Sequence, residues 1–174
     1  DKVQGFVSAF NTLIGRIDNQ TRYDDETEVK GPLLGDSLAI SLRSQLFVTL
    51  QSVGDNVTGQ YNRLSDVGIT IGDGGKTIEL DSSKFREAYE ADPASVEALF
   101  ETFDLAPTDT TTDLGDGITV SGGDGERSFT SLGVIGKMEE LARSYLDSVD
   151  GILTQREKAL TTQVELQESR IEDF

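Results

Sequence analysis

Residues 151–174 read GILTQREKALTTQVELQESRIEDF, and two interleaved series of apolar positions run through them. Leu153, Leu160, Gln167 and Phe174 stand seven apart, as do Glu157, Val164 and Ile171. Two such series offset by three and four residues form the inward seam of a coiled-coil helix, here with polar interruptions at Glu157 and Gln167. No proline occurs from residue 130 onward, and only Gly133, Gly136 and Gly151 punctuate that stretch. The pattern predicts one long helix over residues 131–174; about 40 residues of helix would extend about 60 Å, beyond the reach of a compact domain. The half before Leu153 is expected to pack within the subunit, and the far half to meet other parts of a longer chain or another subunit. Leu153, Leu160, Val164, Ile171 and Phe174 are therefore the candidate helix–helix or subunit contacts. Burying one such side chain stabilises by about 1.5–3 kcal/mol, which matters only once a partner helix covers the row. The chain starts at Asp1 without a Met and is still on pattern at its end, which reads as an excerpt of a longer protein.

The opposite end tells a compatible story. Val3, Phe6, Val7, Phe10, Leu13, Ile14 and Ile17 recur at three- and four-residue steps, the stripe of an amphipathic helix ending near Arg22. Residues 23–30 are acidic and read as a loop that Gly31, Pro32 and Gly35 continue. Asp36 or Ser37 can cap a second helix, antiparallel to the first, on which Ala39, Leu42, Leu46, Leu50 and Val53 keep helical spacing. Residues 67–81 set two alternating β-branched runs around Gly72-Asp73-Gly74-Gly75, a β-hairpin. Asp81 or Ser82 starts a short helix to Ala91, and Asp92-Pro93 opens another reaching Phe103. Residues 106–128 form a polar Thr/Asp/Gly loop with a small hairpin pairing residues 117–121 and 127–130. The fold class is α+β, mainly α: an antiparallel helical bundle or coiled-coil stem with a small β-hairpin and a long C-terminal helix.

Composition narrows the chemistry. Thirty-two Asp and Glu oppose fifteen Lys and Arg, a formal charge of -17 that repels nucleic-acid phosphates and anionic lipid heads. Cys and His are both absent, which removes disulfides, thiol nucleophiles, thiolate–imidazole zinc sites and imidazole acid–base catalysis. No run approaches the roughly 20 apolar residues of a membrane helix, so membrane insertion is not expected. Acidic stretches around Asp73 and around Asp113, Asp116 and Asp124 raise calcium, yet neither follows the register of a calcium-binding EF loop. Turn formation and solvation account for them. Glu139 with Glu140, or Asp24 with Asp25, are sequence neighbours that point different ways on a helix and make a poor glycosidase pair. The sequence predicts no enzyme activity, no cofactor and no metal.

The order of motifs resembles the C-terminal region of the bacterial flagellar hook-associated protein 2 family, the filament cap proteins. Phe6-Val7-Ser8-Ala9-Phe10-Asn11-Thr12-Leu13-Ile14 is similar to its aromatic-Asn-x-Leu helix. Gly31-Pro32-Leu33-Leu34-Gly35-Asp36-Ser37, with Leu42-Arg43-Ser44-Gln45-Leu46 behind it, is the most specific piece. Leu64-Ser65-Asp66-Val67-Gly68-Ile69-Thr70, Asp92-Pro93-Ala94-Ser95-Val96 and Gly151-Ile152-Leu153 with Arg156 follow in the family's order. The resemblance implies a stem region of helices plus a hairpin, with a head domain supplied by sequence upstream of Asp1. It implies an extracellular protein, exported through the flagellar secretion apparatus, that forms a homo-oligomeric ring at the filament tip and helps flagellin fold and polymerise. Its implied partners are further copies of itself, flagellin, hook–filament junction proteins and an export chaperone. An adhesin using loop residues from Asp109 to Asp124, and another hook- or filament-associated protein, are the alternatives.

Overall fold

The computed structural model describes residues 2–26, 28–106, 111–113, 119–121, 129–147, 149 and 151–172. They form two units, Asp1–Gly136 and Lys137–Phe174. In the first unit, helix α1 spans Lys2–Thr21 and buries Phe10 and Ile14 from its predicted stripe. Helix α2 spans Ser37–Leu50, and Asp36 caps it by accepting from the N–H groups of Leu38 and Ala39 at 2.9 and 3.0 Å. Phe10 meets Phe47 edge to face at 5.4 Å, while Asp18, two turns further along α1, meets Arg43, one turn earlier on α2. Contacts that advance on one helix and retreat on the other make the pair antiparallel, as expected. Helix α2 stops before Val53: the Ser52 N–H bonds back to the Thr49 carbonyl at 3.1 Å, a three-residue step that tightens the last turn and ends the helix.

The acidic segment between these helices is more ordered than a loop. Strands β1 (Tyr23–Asp24) and β2 (Val29–Lys30) pair antiparallel, with Tyr23 opposite Lys30. The Asp24 carboxylate accepts from the Glu26 N–H at 3.2 Å, so one of the acidic residues of this segment builds its turn. Gly31 follows, and its N–H bonds the Arg22 carbonyl at 2.9 Å. A Cβ there would overlap the Gln20 carbonyl oxygen, which explains the glycine that opens the 31–37 motif.

Strands β3 (Ile69–Ile71) and β4 (Ile78–Leu80) form the predicted hairpin, with Ile69 opposite Leu80 and Ile71 opposite Ile78. A 3-10 turn at Asp73–Gly75 connects them. Alternation along the strands turns Ile69 and Ile78 inward, each 1% exposed. Helices α3 (Ser82–Ala91) and α4 (Pro93–Glu101) follow, capped by Asp81 and Asp92. Val96 and Leu99 of α4 join Leu64, Val67 and the two isoleucines in the core.

Beyond α4 the structure departs from the sequence reading. Phe103 begins strand β5 (Phe103–Leu105) instead of ending the helix. Strands β6 (Thr111–Asp113) and β7 (Thr119–Ser121) pair with each other, and β8 (Phe129–Leu132) pairs with β5. The expected pairing of residues 117–121 with 127–130 is thus replaced by a nested arrangement. The longer-range pairing buries more: Phe103 packs edge to face on Phe129 at 5.1 Å, and Leu132, 6% exposed, also bonds Asp55 backbone to backbone in both directions at 2.9 Å. The rest of the Thr/Asp/Gly stretch, residues 107–110, 114–118 and 122–128, lies outside the described residues.

Ser95, 2% exposed, links three segments. Its hydroxyl donates to the Asp92 carboxylate at 2.6 Å and accepts from the Gln60 N–H at 2.9 Å, and its own N–H donates to Asp92 at 3.0 Å. The Ser95 hydroxyl first, then its N–H, holds the Asp92 carboxyl below its ordinary value of 3.8. A carboxyl with a depressed folded pKa stabilises fully above its unfolded pKa and loses that stabilisation as pH falls through the folded value. The stability gap between wild type and Asp92→Asn should therefore be open at neutral pH and close below about pH 4, measured by urea unfolding across that range.

The second unit contains most of helix α5 (Val134–Leu146) and all of helix α6 (Ile152–Glu172). The single helix expected over residues 131–174 is therefore two helices behind a strand. Asp147 makes the break: its carboxylate accepts from the Val149 N–H, and its carbonyl accepts from the Thr154 hydroxyl, both at 2.8 Å. Short Asp side chains compete in this way with the helical ladder. Gly151 sits where a Cβ would run into the Asp147 backbone, so the close return of the chain needs glycine.

Candidate functional site

Helix α6 begins with its N-terminus tied to the preceding turn. The Gln155 N–H bonds the Gly151 carbonyl at 3.0 Å and Lys158 Nζ the Val149 carbonyl at 3.2 Å. From there its heptad positions come to the surface: Leu153 is 44% exposed, Leu160 51% and Val164 55%. These three line one open strip along the helix, rimmed by Arg156, Glu165 and Glu168. Eleven residues of helix separate Leu153 from Val164, a strip about 16 Å long. Ile171, 73% exposed, continues the series beyond the strip, and Phe174 lies outside the described residues. Glu157 sits inside the strip, where a charge weakens indiscriminate pairing and favours a partner that offers donors.

The acidic pairs weighed in the sequence have structural employment. Glu139 and Glu140 both face Arg143, at 3.6 and 3.5 Å, and Asp24 takes Arg22 at 3.3 Å. Among the described residues no group of three acidic side chains converges as a metal-ligand set, and no helix is long and apolar enough to cross a membrane. Sequence reasoning missed a second exposed apolar row on α2, where Ile40 is 53% and Val48 65% exposed. The available signal was that α2 is apolar on all sides, a pattern that predicts cover on more than one face.

The chain thus combines a small unit of helices and a hairpin with a second unit whose helix α6 carries exposed apolar residues along one strip. Residues 1–174 match the family described as flagellar hook-associated protein 2 C-terminus, and the chain belongs to that family. The family is one of structural flagellar proteins. The chain is 35% identical over 102 residues to the lateral flagellar hook-associated protein 2 of Vibrio parahaemolyticus, covering 58% of this chain and 21% of that protein. It is 34% identical over 110 residues to the flagellar hook-associated protein 2 of Campylobacter jejuni, covering 56% of this chain and 17% of the relative. The crystal structure of the flagellar cap protein FliD D1-D2-D3 domains from Escherichia coli superposes with a TM-score of 0.60 at 25% identity, over 90% of this chain and 35% of that one. The chain thus spans well under half the length of these relatives.

Proposed function

We propose that this chain is the stem region of a flagellar filament cap, and that the open strip on α6 is where it docks on other helices of the assembly. One observation carries the reading: Leu153, Leu160 and Val164 are each more than two-fifths exposed on one face of a regular helix. Apolar rows of that kind stabilise nothing until covered. The assembly is a homo-oligomer at the extracellular filament tip, reached by flagellar export. Flagellin is the protein whose folding and polymerisation it assists, and the junction proteins and an export chaperone are its further partners. Family membership and the acidic, cysteine-free composition support this setting.

Changing Leu160 and Val164 together to Asp replaces two covered apolar contacts, each contributing about 1.5–3 kcal/mol, with two charges. Association through α6 should weaken by at least about 100-fold. Light scattering should show loss of the oligomer, and cells carrying the variant should fail to extend filaments. Wild-type oligomer size and normal swimming would refute the reading.

A further inference from the structure

The composition leaves few routes for spontaneous chemical change. Cys, Trp and His are absent and there is one Met, so few side chains can be oxidised. None of the four asparagines, Asn11, Asn19, Asn56 and Asn62, is followed by glycine, the neighbour that speeds loss of the side-chain amide. Aspartate is different: it precedes glycine at positions 73, 116, 124 and 150, and of these only Asp73 is among the described residues. Elsewhere the carboxylates have work to do. Asp18 holds Arg43, and Asp36, Asp66, Asp81, Asp92 and Asp147 accept from backbone N–H groups. Among the described residues the Asp73 carboxylate meets neither a donor nor a cation.

The backbone beside it is equally unencumbered. Asp73, Gly74 and Gly75 are exposed on the turn that joins β3 to β4, which the Gly75 N–H closes on the Gly72 carbonyl at 3.1 Å. The Gly74 N–H belongs to the first residues of a helical turn, whose donors have no partner within it. Gly74 has φ +78, and nothing lies within 4 Å of a Cβ built there, so its nitrogen can swing toward the Asp73 side chain without collision.

We propose that Asp73 is a site of spontaneous isoaspartate formation. The Gly74 nitrogen attacks Asp73 Cγ in its uncharged carboxyl form. The N–Cγ bond forms, the Cγ–OH bond breaks, and the hydroxyl leaves as water with the proton of the Gly74 N–H, giving a succinimide ring. Water then opens the ring. Attack at Cγ restores aspartate, whereas attack at the main-chain carbonyl of Asp73 leaves the chain running through Cβ and Cγ, with a free α-carboxylate. One water is lost and one is gained, so mass is unchanged and no oxidant or reductant takes part. The product lengthens the β3–β4 connection by one backbone carbon. That carbon falls between Gly72, whose N–H bonds the Thr77 carbonyl at 3.0 Å, and Gly75, whose carbonyl accepts from Arg43 at 3.4 Å. These contacts of the turn loosen first. The strands stay in place, because Ile69 and Ile78 are buried and Asn11 holds both backbone groups of Ile78. The modification thus records the age of the protein without unfolding it.

The test is to incubate the full-length protein at body temperature for weeks, in mild acid and in mild base, and to measure isoaspartate at each position by electron-transfer fragmentation of its peptides. Isoaspartate should accumulate at residue 73 at least about tenfold faster than at Asp25 or Asp104, exposed aspartates followed by Glu26 and Leu105. The folded rate should lie within about threefold of that in urea, since an exposed turn opens at little cost. Accumulation should be faster in acid, where the carboxyl is uncharged, and Asp73→Asn should reverse that dependence because an amide cyclises faster in base. Asp73→Glu should abolish the signal, and the aged protein should keep its circular dichroism. A rate at Asp73 no higher than at Asp25 and Asp104 would overturn the proposal, as would a folded rate more than about tenfold below the unfolded one, which would mean that the turn shields the site. Faster accumulation in base for the unsubstituted protein would overturn the route through the uncharged carboxyl, and loss of the circular dichroism signal in step with isoaspartate would overturn its confinement to the turn.

Discussion

Asn11→Ala should lower the unfolding free energy by about 2–4 kcal/mol, because one side chain satisfies both backbone groups of a buried strand residue. Asn11 Nδ2 donates to the Ile78 carbonyl at 2.9 Å, and Asn11 Oδ1 accepts from the Ile78 N–H at 2.7 Å. Ile78 is 1% exposed, so truncation strands a donor and an acceptor where water reaches them poorly. Each orphaned group costs about 1–3 kcal/mol, far more than the net value of a hydrogen bond exchanged with water. Asn11→Asp makes a sharper test. Its carboxylate can still accept from the Ile78 N–H, yet sets a second negative oxygen against the Ile78 carbonyl. It should match or exceed the alanine loss at neutral pH and recover partly in acid, where a protonated carboxyl can donate. Urea unfolding supplies the free energies, and faster amide exchange at Ile78 localises the damage. A loss under about 1 kcal/mol with unchanged exchange would show that the strand holds its place without α1.

That contact also marks the boundary of what the sequence can say. The stripe Phe6, Phe10, Ile14 made α1 legible, since periodicity is a local property. The partner of Asn11 lies 67 residues away, and no local pattern names it. The same division explains the strand error after α4. Local turn chemistry favoured pairing residues 117–121 with 127–130, but Phe103 against Phe129 and the Asp55–Leu132 bridge reward a pairing between distant segments. At Asp147 the failure was of another kind. The apolar spacing runs on through the break, and a single carboxylate turned back on its own backbone is enough to end the helix.

The candidate interface was legible to the degree that helical spacing decides it. Leu153, Leu160 and Val164 share one strip because three- and four-residue steps return to one face of a helix. Exposure is different, because it depends on what other segments cover. The pattern on α2 led to the row Ala39, Leu42, Leu46 and Leu50, and the structure indeed buries Leu46 and Leu50. Nothing in residues 37–50 themselves distinguishes Ile40 and Val48 as uncovered. Only packing against α1 and the β3–β4 hairpin, which engages Phe47 and Arg43, leaves the opposite face free.

Gly59→Ala should be the other severe lesion, with a loss of at least about 3 kcal/mol. Gly59 has φ +128, a region in which an L side chain is strained by about 1–3 kcal/mol. Space compounds the problem: an added Cβ would lie 2.6 Å from Ser95 Cβ and 2.9 Å from Ser95 Cα, part of the α4 backbone and not a flexible side-chain end. Relief requires moving one of two anchored groups. Moving residue 59 stretches the bond from the Gln60 N–H to the Ser95 hydroxyl, while moving Ser95 disturbs the cap that Asp92 makes on α4. Losing such a cap costs about 1 kcal/mol by itself. The same substitution at Gly5 supplies the control, since nothing lies within 4 Å of a Cβ there and the residue is inside α1. Gly5→Ala should stabilise by up to about 1 kcal/mol through helix propensity. One added methyl group should therefore lower the melting temperature at position 59 and raise it at position 5. A parallel pair of thermal melts moving in the same direction would show that backbone conformation and the approach of Ser95 do not govern position 59.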